Sequence, residues 1–182
     1  MNTFCTDNPD VIGFEPRVFS DERGFFMESY RRDKFHQAGI PHEFVQDNHS
    51  FSIKGTLRGL HYQISHVQGK LVRVTSGEIF DAAVDLRKSS PNFGKWVGLI
   101  LSAENKKQLW IPPGFAHGFY TLSPQADVLY KTTDYYDPAG DRCLIWNDPV
   151  ICITWPLDPQ VPLLLSEKDK QGTSFKNAEV FE

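Results

Sequence analysis

The sequence predicts an all-β fold, an antiparallel jelly roll with a few short helices at its periphery. From Leu71 onward, short apolar or alternating runs recur between turn signals, a spacing typical of a β-sandwich or barrel. Helix signals are sparse, which excludes a helical layer. At 182 residues the chain can bury one core but is short for two, so we expect a single domain over residues 1–182.

Five runs after residue 70 are predicted strands: 71–74, 78–86, 96–102, 108–111 and 126–136. In the second run Phe80, Ala82, Val84 and Leu86 share one face, because side chains of a strand alternate with a period of two. Turn residues separate the runs, at Ser76-Gly77, Ser89-Ser90-Pro91, Pro112-Pro113-Gly114 and Ser123-Pro124. We therefore expect tight connections between neighbouring strands.

Two segments carry helix signals. The first runs from Tyr30 to Ala38 and is followed by Gly39 and Pro41, which are typical of a helix end. The second, 166–171, is long enough for one further turn. Both helices are expected at the periphery.

The composition excludes several function classes. Nineteen basic and 23 acidic side chains give a net charge of -4, so no overall field favours nucleic acid or an anionic membrane. No stretch approaches the ~18 apolar residues of a membrane span, and the first nine residues lack the apolar region of a signal peptide. We expect a cytoplasmic protein without nucleic-acid or membrane partners. Cys5, Cys143 and Cys152 form no CxxC or Cys/His ligand set, which predicts reduced thiols without a catalytic role.

The densest polar cluster spans residues 46–73, with Gln46, Asp47, Asn48, His49, Arg58, His61, Lys70 and Arg73. Each residue alone would be read as solvated surface, but together they predict a binding site. Arg58 and His61 are three positions apart and would point to opposite faces of a regular strand. A bulge at Gly59 could turn both inward; without it, only one lines the cavity.

A second cluster, 110–123, places His117 in a predicted strand after a Pro-Pro-Gly turn. Cupin barrels use a similar turn and histidine, and some of them bind a metal there. A cupin metal site also needs an H-x-H pair and a carboxylate upstream, whereas residues 59–63 hold His61 alone. We therefore predict no metal and no cofactor.

Tyr130 lies in a predicted strand, followed by Tyr135 and Tyr136. These aromatic residues fit core packing. They also fit a proton donor at Tyr130 and a stacking platform for a base at the tyrosine pair. Spacing alone leaves both interpretations open.

Seven motifs, in order and spacing, resemble the dTDP-4-dehydrorhamnose 3,5-epimerase family from about Phe14 to Asp169: QDNHSFSIKGTLRGLHYQ, QGKLVR, DLRKSSPNFGKW, LSAENKKQLWIPPGFAHGF, YKTTDYY, WNDP and SEKD. The resemblance implies a cupin-type jelly-roll homodimer. It also implies cofactor-free inversion at C3 and C5 of dTDP-4-keto-6-deoxyglucose, for L-rhamnose synthesis and cell-surface polysaccharides such as O-antigen.

The resemblance implies four catalytic roles. His61 matches the general base, and Asp169 matches its carboxylate partner. Lys70 matches the group that stabilises the enolate, and Tyr130 matches the acid on the opposite face of the sugar. These residue types suit the chemistry, because a cation stabilises a developing enolate and a neutral phenol carries one proton to donate.

The resemblance also implies a set of substrate contacts. The matching positions are Arg58 and His117 at the sugar and pyrophosphate, Lys70 at the sugar, Gln46, Asp47 and Asn48 at the nucleotide sugar, Tyr136 stacked on thymine, and Asp141 and Lys168 at the nucleotide. Arg23, Phe26 and Glu28 match residues that reach in from the partner subunit.

Three alternatives stay open at this point. A mono-epimerase or ketoisomerase of the same class would share nearly all of these residues. A non-catalytic sugar- or nucleotide-binding module is disfavoured by the joint presence of His61, Lys70, Tyr130 and Asp169. A metal-dependent cupin oxygenase would need a bound metal for its activity.

Overall fold

The computed structural model describes residues 1–182, which form two antiparallel sheets and a separate hairpin. The strands are β1 Asn2–Cys5, β2 Ile12–Glu15, β3 Val18–Asp21, β4 Gly24–Met27, β5 Gln46–Ile53, β6 Leu57–Gln63, β7 Lys70–Ser76, β8 Glu78–Asp85, β9 Trp96–Ser102, β10 Gln108–Ile111, β11 Phe115–Thr121, β12 Gln125–Thr132 and β13 Asp141–Cys143. The helices are α1 Arg32–Gln37 and α2 Glu167–Lys170, with a 3-10 turn at Phe175–Asn177. None of the helices is long and apolar enough to cross a membrane.

The six-stranded sheet has the order β1-β2-β10-β7-β12-β5, and the five-stranded sheet has the order β13-β6-β11-β8-β9. Every paired ladder between these strands is antiparallel. The main core joins Val72 and Val128 of the first sheet to Ile79, Leu101 and Phe119 of the second. The two sheets therefore face each other, and the predicted all-β jelly roll is confirmed.

Strand β8 is buried on both faces. Ala82, Val84 and the adjacent Leu86 pack in a second core on the outer side of the five-stranded sheet, as their predicted common face requires. The opposite face contributes Ile79 and Ala83 to the core between the sheets. The outer core exists because the chain after β13, including Leu144, Ile151 and Trp155, folds back over that sheet.

Several predicted boundaries differ from the structure. Strand β12 ends at Thr132 instead of continuing to residue 136, because Thr132 Oγ1 bonds the carbonyl of Asp134 and the Asp134 carboxylate caps the amide of Tyr135. These local bonds turn the chain. The two helices form inside their predicted ranges but are shorter by one to two residues at each end.

Strands β1 to β5 and β13 were not predicted. In β5, half-buried and exposed positions alternate, but polar residues occupy both faces, so the sequence lacks a clear apolar period. The β3–β4 hairpin is mostly exposed: Phe19, Phe25 and Phe26 retain 51, 57 and 71% of their accessible surface. Such an apolar ribbon, together with the edge strand β5, is typical of a protein-interaction surface.

Candidate active site

A cavity of about 270 Å³ opens between the two sheets. Its lining combines residues of β5, β7 and β12 with residues of β6, β11 and β13, and α2 lies at its rim. The lining residues are Gln46, Asn48, Ser50, Arg58, His61, Tyr62, Gln63, Gln68, Lys70, His117, Gly118, Phe119, Tyr130, Tyr136, Asp141 and Lys168. Most of the residues that the sequence singled out meet here.

A bulge in β6 turns both Arg58 and His61 into this cavity. Strand β11 pairs His117 with His61 and Phe119 with Arg58, so the two residues between Arg58 and His61 oppose a single residue of β11. Gly59 has a φ of +112°, and a Cβ there would lie 2.6 Å from the carbonyl oxygen of His117. Only glycine fits this backbone. The bulge interpretation is therefore confirmed.

His61 forms a close pair with Asp169. Its Nε2 lies 2.7 Å from Asp169 Oδ1, and Asp169 is 3% exposed. The two atoms are off the direction of an ideal hydrogen bond, so Nε2 lacks a well-formed partner. The Nδ1 atom of His61 makes no hydrogen bond to the protein, which leaves it as the ring nitrogen available to a ligand.

Asp169 is fixed by two further donors. Ser166 Oγ donates to Oδ2 at 2.6 Å, and the amide of Gly59 donates to Oδ1 at 3.1 Å. Burial alone would raise the pKa of Asp169, but the contact with His61 and these hydrogen bonds outweigh it and lower the pKa to about 2. The carboxylate is therefore ionised at neutral pH and stabilises a positive charge on the imidazole ring.

Lys70 is the buried cation of the cavity. Its Nζ donates to the carbonyl of His61 at 3.3 Å. Burial lowers the pKa of Lys70 to about 8, against the opposing effects of Asp141 and Asp81. The ammonium group thus stays mainly charged at pH 7 and has few competing partners.

Tyr130 approaches the cavity from the sheet opposite His61, because it lies on β12 of the six-stranded sheet while His61 lies on β6 of the five-stranded sheet. Burial raises the pKa of Tyr130, against the opposing charge of Arg58. The phenol therefore keeps its proton at neutral pH. A basic group and an acidic group thus come from opposite walls of one cavity.

His117 belongs to a second buried pair. Its Nε2 lies 2.8 Å from Asp81 Oδ2, and both side chains are buried. The other carboxylate oxygen of Asp81 has no hydrogen-bond partner. Asp81 was missed from the sequence, although an aspartate inside the apolar run of β8 was a usable signal.

The rim of the cavity carries a polar cluster of Tyr136, Asp141 and Lys168. The Tyr136 hydroxyl donates to Asp141 Oδ2 at 3.1 Å, and Lys168 Nζ pairs with the same oxygen. The side chain of Gln46 accepts a hydrogen bond from the amide of Tyr136 at 3.1 Å and donates to Asn48 at 3.0 Å. These residues place an aromatic ring beside an opening that holds both signs of charge.

Four predicted substrate contacts lie outside this cavity. Asp47 lies on the other face of β5 and pairs with Lys131 at 2.8 Å, since alternate residues of a strand face opposite ways. Arg23 and Phe26 lie on the exposed β3–β4 hairpin, and Glu28, just after it, pairs with Lys34. Within one chain, none of these four lines the cavity.

Cys143 lies beside the His61–Asp169 pair. Strand β13 pairs with β6 and places Cys143 directly opposite His61, with its Sγ 4.0 Å from Asp169 Oδ1. Ligand atoms of His61, Cys143 and Asp169 all lie within 4.8 Å of one another, a proximity that the spacing of these residues along the chain does not indicate. Burial and the Asp169 charge raise the pKa of Cys143 to about 11, so the thiol is neutral.

Comparison with known proteins points to one family. A sequence profile described as dTDP-4-dehydrorhamnose 3,5-epimerase matches residues 6–177. The chain is 63% identical over 174 residues to a Pseudomonas aeruginosa protein of that name, covering 95% of both chains. A Shigella flexneri protein of the same name is 58% identical, with coverage of 100% of this chain and 99% of the other.

A solved structure gives the same result. The dTDP-6-deoxy-D-glucose-3,5-epimerase of Legionella pneumophila, in complex with dTDP-4-keto-L-rhamnose, superposes with a TM-score of 0.94. It is 51% identical, and the alignment covers 98% of this chain and 94% of that chain. The sequence comparison and the structural comparison therefore indicate the same family, each over nearly the whole chain.

Proposed function

This chain belongs to the dTDP-4-dehydrorhamnose 3,5-epimerase family, and we propose that its cavity converts dTDP-4-dehydro-6-deoxy-D-glucose to dTDP-4-dehydro-L-rhamnose. It is an isomerase of dTDP-L-rhamnose biosynthesis with a cupin-type jelly roll, and residues 1–182 act as one catalytic domain. The observation that carries the mechanism is the placement of His61 and Tyr130 on opposite sheets. Inversion at a carbon requires a base on one side and an acid on the other.

Proton abstraction begins at His61. The C–H bonds at C3 and C5 are next to the C4 ketone, so losing either proton generates an enolate. His61 Nδ1, which has no protein partner, takes the proton, and the Asp169 carboxylate at Nε2 stabilises the resulting imidazolium. Lys70 stabilises the enolate oxygen, because solvent screens the charge of a buried ammonium group only weakly.

Inversion is completed from the opposite sheet. The Tyr130 hydroxyl donates its proton to the enolate carbon on the face away from His61. This step leaves Tyr130 ionised and His61 protonated, and proton exchange with solvent restores both groups before the next carbon reacts. The proposed steps transfer protons only and no electrons, because the C4 ketone already acidifies the C–H bonds at C3 and C5.

The remaining cavity residues hold the nucleotide. Arg58 and His117 line the same cavity as the catalytic groups and contact the sugar and the pyrophosphate, for which a guanidinium fork is well shaped. Gln46 and Asn48 contact the nucleotide sugar. At the rim, Tyr136 stacks on thymine, and Asp141 and Lys168 bind the nucleotide.

The enzyme is proposed to be a homodimer. The β3–β4 hairpin exposes Phe25 and Phe26, and the edge strand β5 exposes Phe51 and Ile53. Pairing of two copies would cover both surfaces. In this dimer Arg23, Phe26 and Glu28 reach the cavity of the partner subunit, while Asp47 and the second face of β5 receive the partner's hairpin. The unpaired cysteines fit the reducing cytoplasm.

Mixing two inactive variants tests the shared site. Arg23→Ala and His61→Ala proteins are unfolded and refolded together in equal amounts, and epimerisation is measured. Half of the dimers are then mixed and hold one intact site of two, so activity should return to about a quarter of the wild-type value. A mixture as inactive as its components would contradict a site shared between subunits.

Substitution of His61 tests the function itself. His61→Ala should abolish conversion of dTDP-4-dehydro-6-deoxy-D-glucose, because it removes the imidazole that is paired with Asp169 and faces Tyr130 from the opposite sheet. The matched control is His66→Ala, since His66 is exposed and pairs with Asp134 away from the cavity. Equal activity of both variants would contradict the assignment.

A further inference from the structure

His61, Cys143 and Asp169 belong to three separate elements that meet beside the cavity. His61 and Cys143 are paired residues of β6 and β13, and Asp169 reaches them from α2. The separations are 2.7 Å from His61 Nε2 to Asp169 Oδ1 and 4.0 Å from Cys143 Sγ to the same oxygen. The three ligand atoms lie within 4.8 Å of one another.

An imidazole nitrogen, a thiolate sulfur and a carboxylate oxygen form a typical ligand set for Zn²⁺. Tetrahedral zinc with bonds of about 2.0–2.3 Å separates its ligand atoms by roughly 3.3–3.6 Å. The Asp169–His61 distance must therefore lengthen by about 0.6 Å and the Cys143–Asp169 distance must shorten by about 0.5 Å. The fourth position stays open to water from the cavity.

The surroundings of the three groups favour a cation. Ser166 and the amide of Gly59 hold the Asp169 carboxylate from behind, and such hydrogen bonds to a ligand are typical of metal sites. His61 Nε2 is buried without a well-formed hydrogen bond. An ion shared by Nε2, Oδ1 and Sγ would satisfy this nitrogen.

We propose that His61, Cys143 and Asp169 form an inhibitory Zn²⁺ site within the catalytic pair. Binding displaces the thiol proton of Cys143 to solvent, because thiolate is the ligand. The bound ion keeps Asp169 from stabilising an imidazolium and gives the ring a positive neighbour, so His61 no longer accepts a substrate proton. The inhibitory effect rests on the proposed function, whereas binding of the ion does not.

The first measurement is binding without substrate. Co²⁺, a coloured substitute for Zn²⁺, is added to the wild-type protein, and a thiolate ligand should give a near-ultraviolet charge-transfer band. The band should disappear in Cys143→Ser and persist in Cys152→Ser, since Cys152 is exposed and outside the ligand cluster. A missing band in the wild-type protein, or a band unchanged in Cys143→Ser, would overturn the proposal.

The second measurement is inhibition of epimerisation by Zn²⁺, with reversal by EDTA. Cys143→Ser should keep its basal turnover and need at least about tenfold more Zn²⁺ for half inhibition, because it lacks one ligand. Cys143→Ala provides a second variant if the serine protein fails to fold. Equal sensitivity of wild type and both variants would refute the inhibitory site. A cobalt–thiolate band in a protein without epimerase activity would support the metal site and refute the proposed function.

Discussion

Raising the pH should remove the charge of Lys70 and slow proton abstraction. Burial lowers the pKa of Lys70 to about 8. The ammonium form is then about nine tenths of the protein at pH 7 and about one tenth at pH 9. If only the cation stabilises the enolate, the rate of proton abstraction falls about tenfold over this interval.

Asp169 and Tyr130 keep their charge states over this interval. The pKa of Asp169 is about 2, so its carboxylate stays ionised from pH 7 to 9. The pKa of Tyr130 is raised above its usual value near 10, so its phenol stays protonated. Lys70→Met removes the charge with little change in volume. It should lower the rate by about 10²–10³-fold, as loss of an oxyanion-stabilising group does, and abolish the alkaline fall.

The assay is exchange of the C3 and C5 protons of the substrate in deuterium oxide, followed by NMR at buffered values between pH 7 and 9. Substrate without enzyme is measured at each pH, because a ketone also exchanges in alkaline solution. A wild-type rate that stays constant from pH 7 to 9 would show that the charge of Lys70 does not control proton abstraction. So would an alkaline fall of equal size in Lys70→Met.

Three further predictions concern the stability of Lys70→Met, the hydrogen bond from Ser166 to Asp169, and the role of Tyr130 as the acid. Lys70→Met should be more stable than wild type at pH 7, by at most about 3 kcal/mol in chemical denaturation, because a lysine whose pKa falls from 10.5 in the unfolded chain to about 8 destabilises the fold. This destabilisation by Lys70 is complete below pH 8 and disappears above pH 10.5. Equal stabilities of the two proteins at pH 7 would contradict the prediction. Ser166→Ala should lower kcat about tenfold with little change in KM, because Asp169 loses a charge-assisted hydrogen bond. Ser166→Thr should restore kcat, since threonine keeps the hydroxyl. A loss of kcat that threonine does not rescue would indicate a purely structural role of Ser166. Tyr130→Phe should still exchange substrate protons with solvent but accumulate little inverted product, and full turnover by this variant would exclude Tyr130 as the acid.

Much of the fold was predictable because β7 to β12 carry apolar or alternating runs between clear turn residues. The early strands escaped prediction because β3, β4 and β5 expose both polar and apolar side chains. Their pattern is explained if a second subunit covers them. Residue-by-residue hydrophobicity does not record that kind of burial.

Part of the active site was predictable from local sequence, and part depends on contacts between distant segments. The bulge at Gly59 followed from a glycine between two candidate residues, and the structure shows why both turn inward. The pairing of His61 with Asp169 spans 108 positions and came from the family resemblance, since no local spacing encodes it. Asp81 and Cys143 depend on which strands become neighbours, so their contacts with His117 and Asp169 appear only in three dimensions.

The proposed enzyme inverts two carbons in one cavity, with a base on one sheet and an acid on the other. This can be tested by incubating the protein with dTDP-4-dehydro-6-deoxy-D-glucose in deuterium oxide and following the C3 and C5 proton signals by NMR, with His61→Ala as the comparison. Both signals should disappear with wild-type protein, and both should persist with His61→Ala. Loss of one signal would make the protein a mono-epimerase, and persistence of both with wild-type protein would contradict the assigned function.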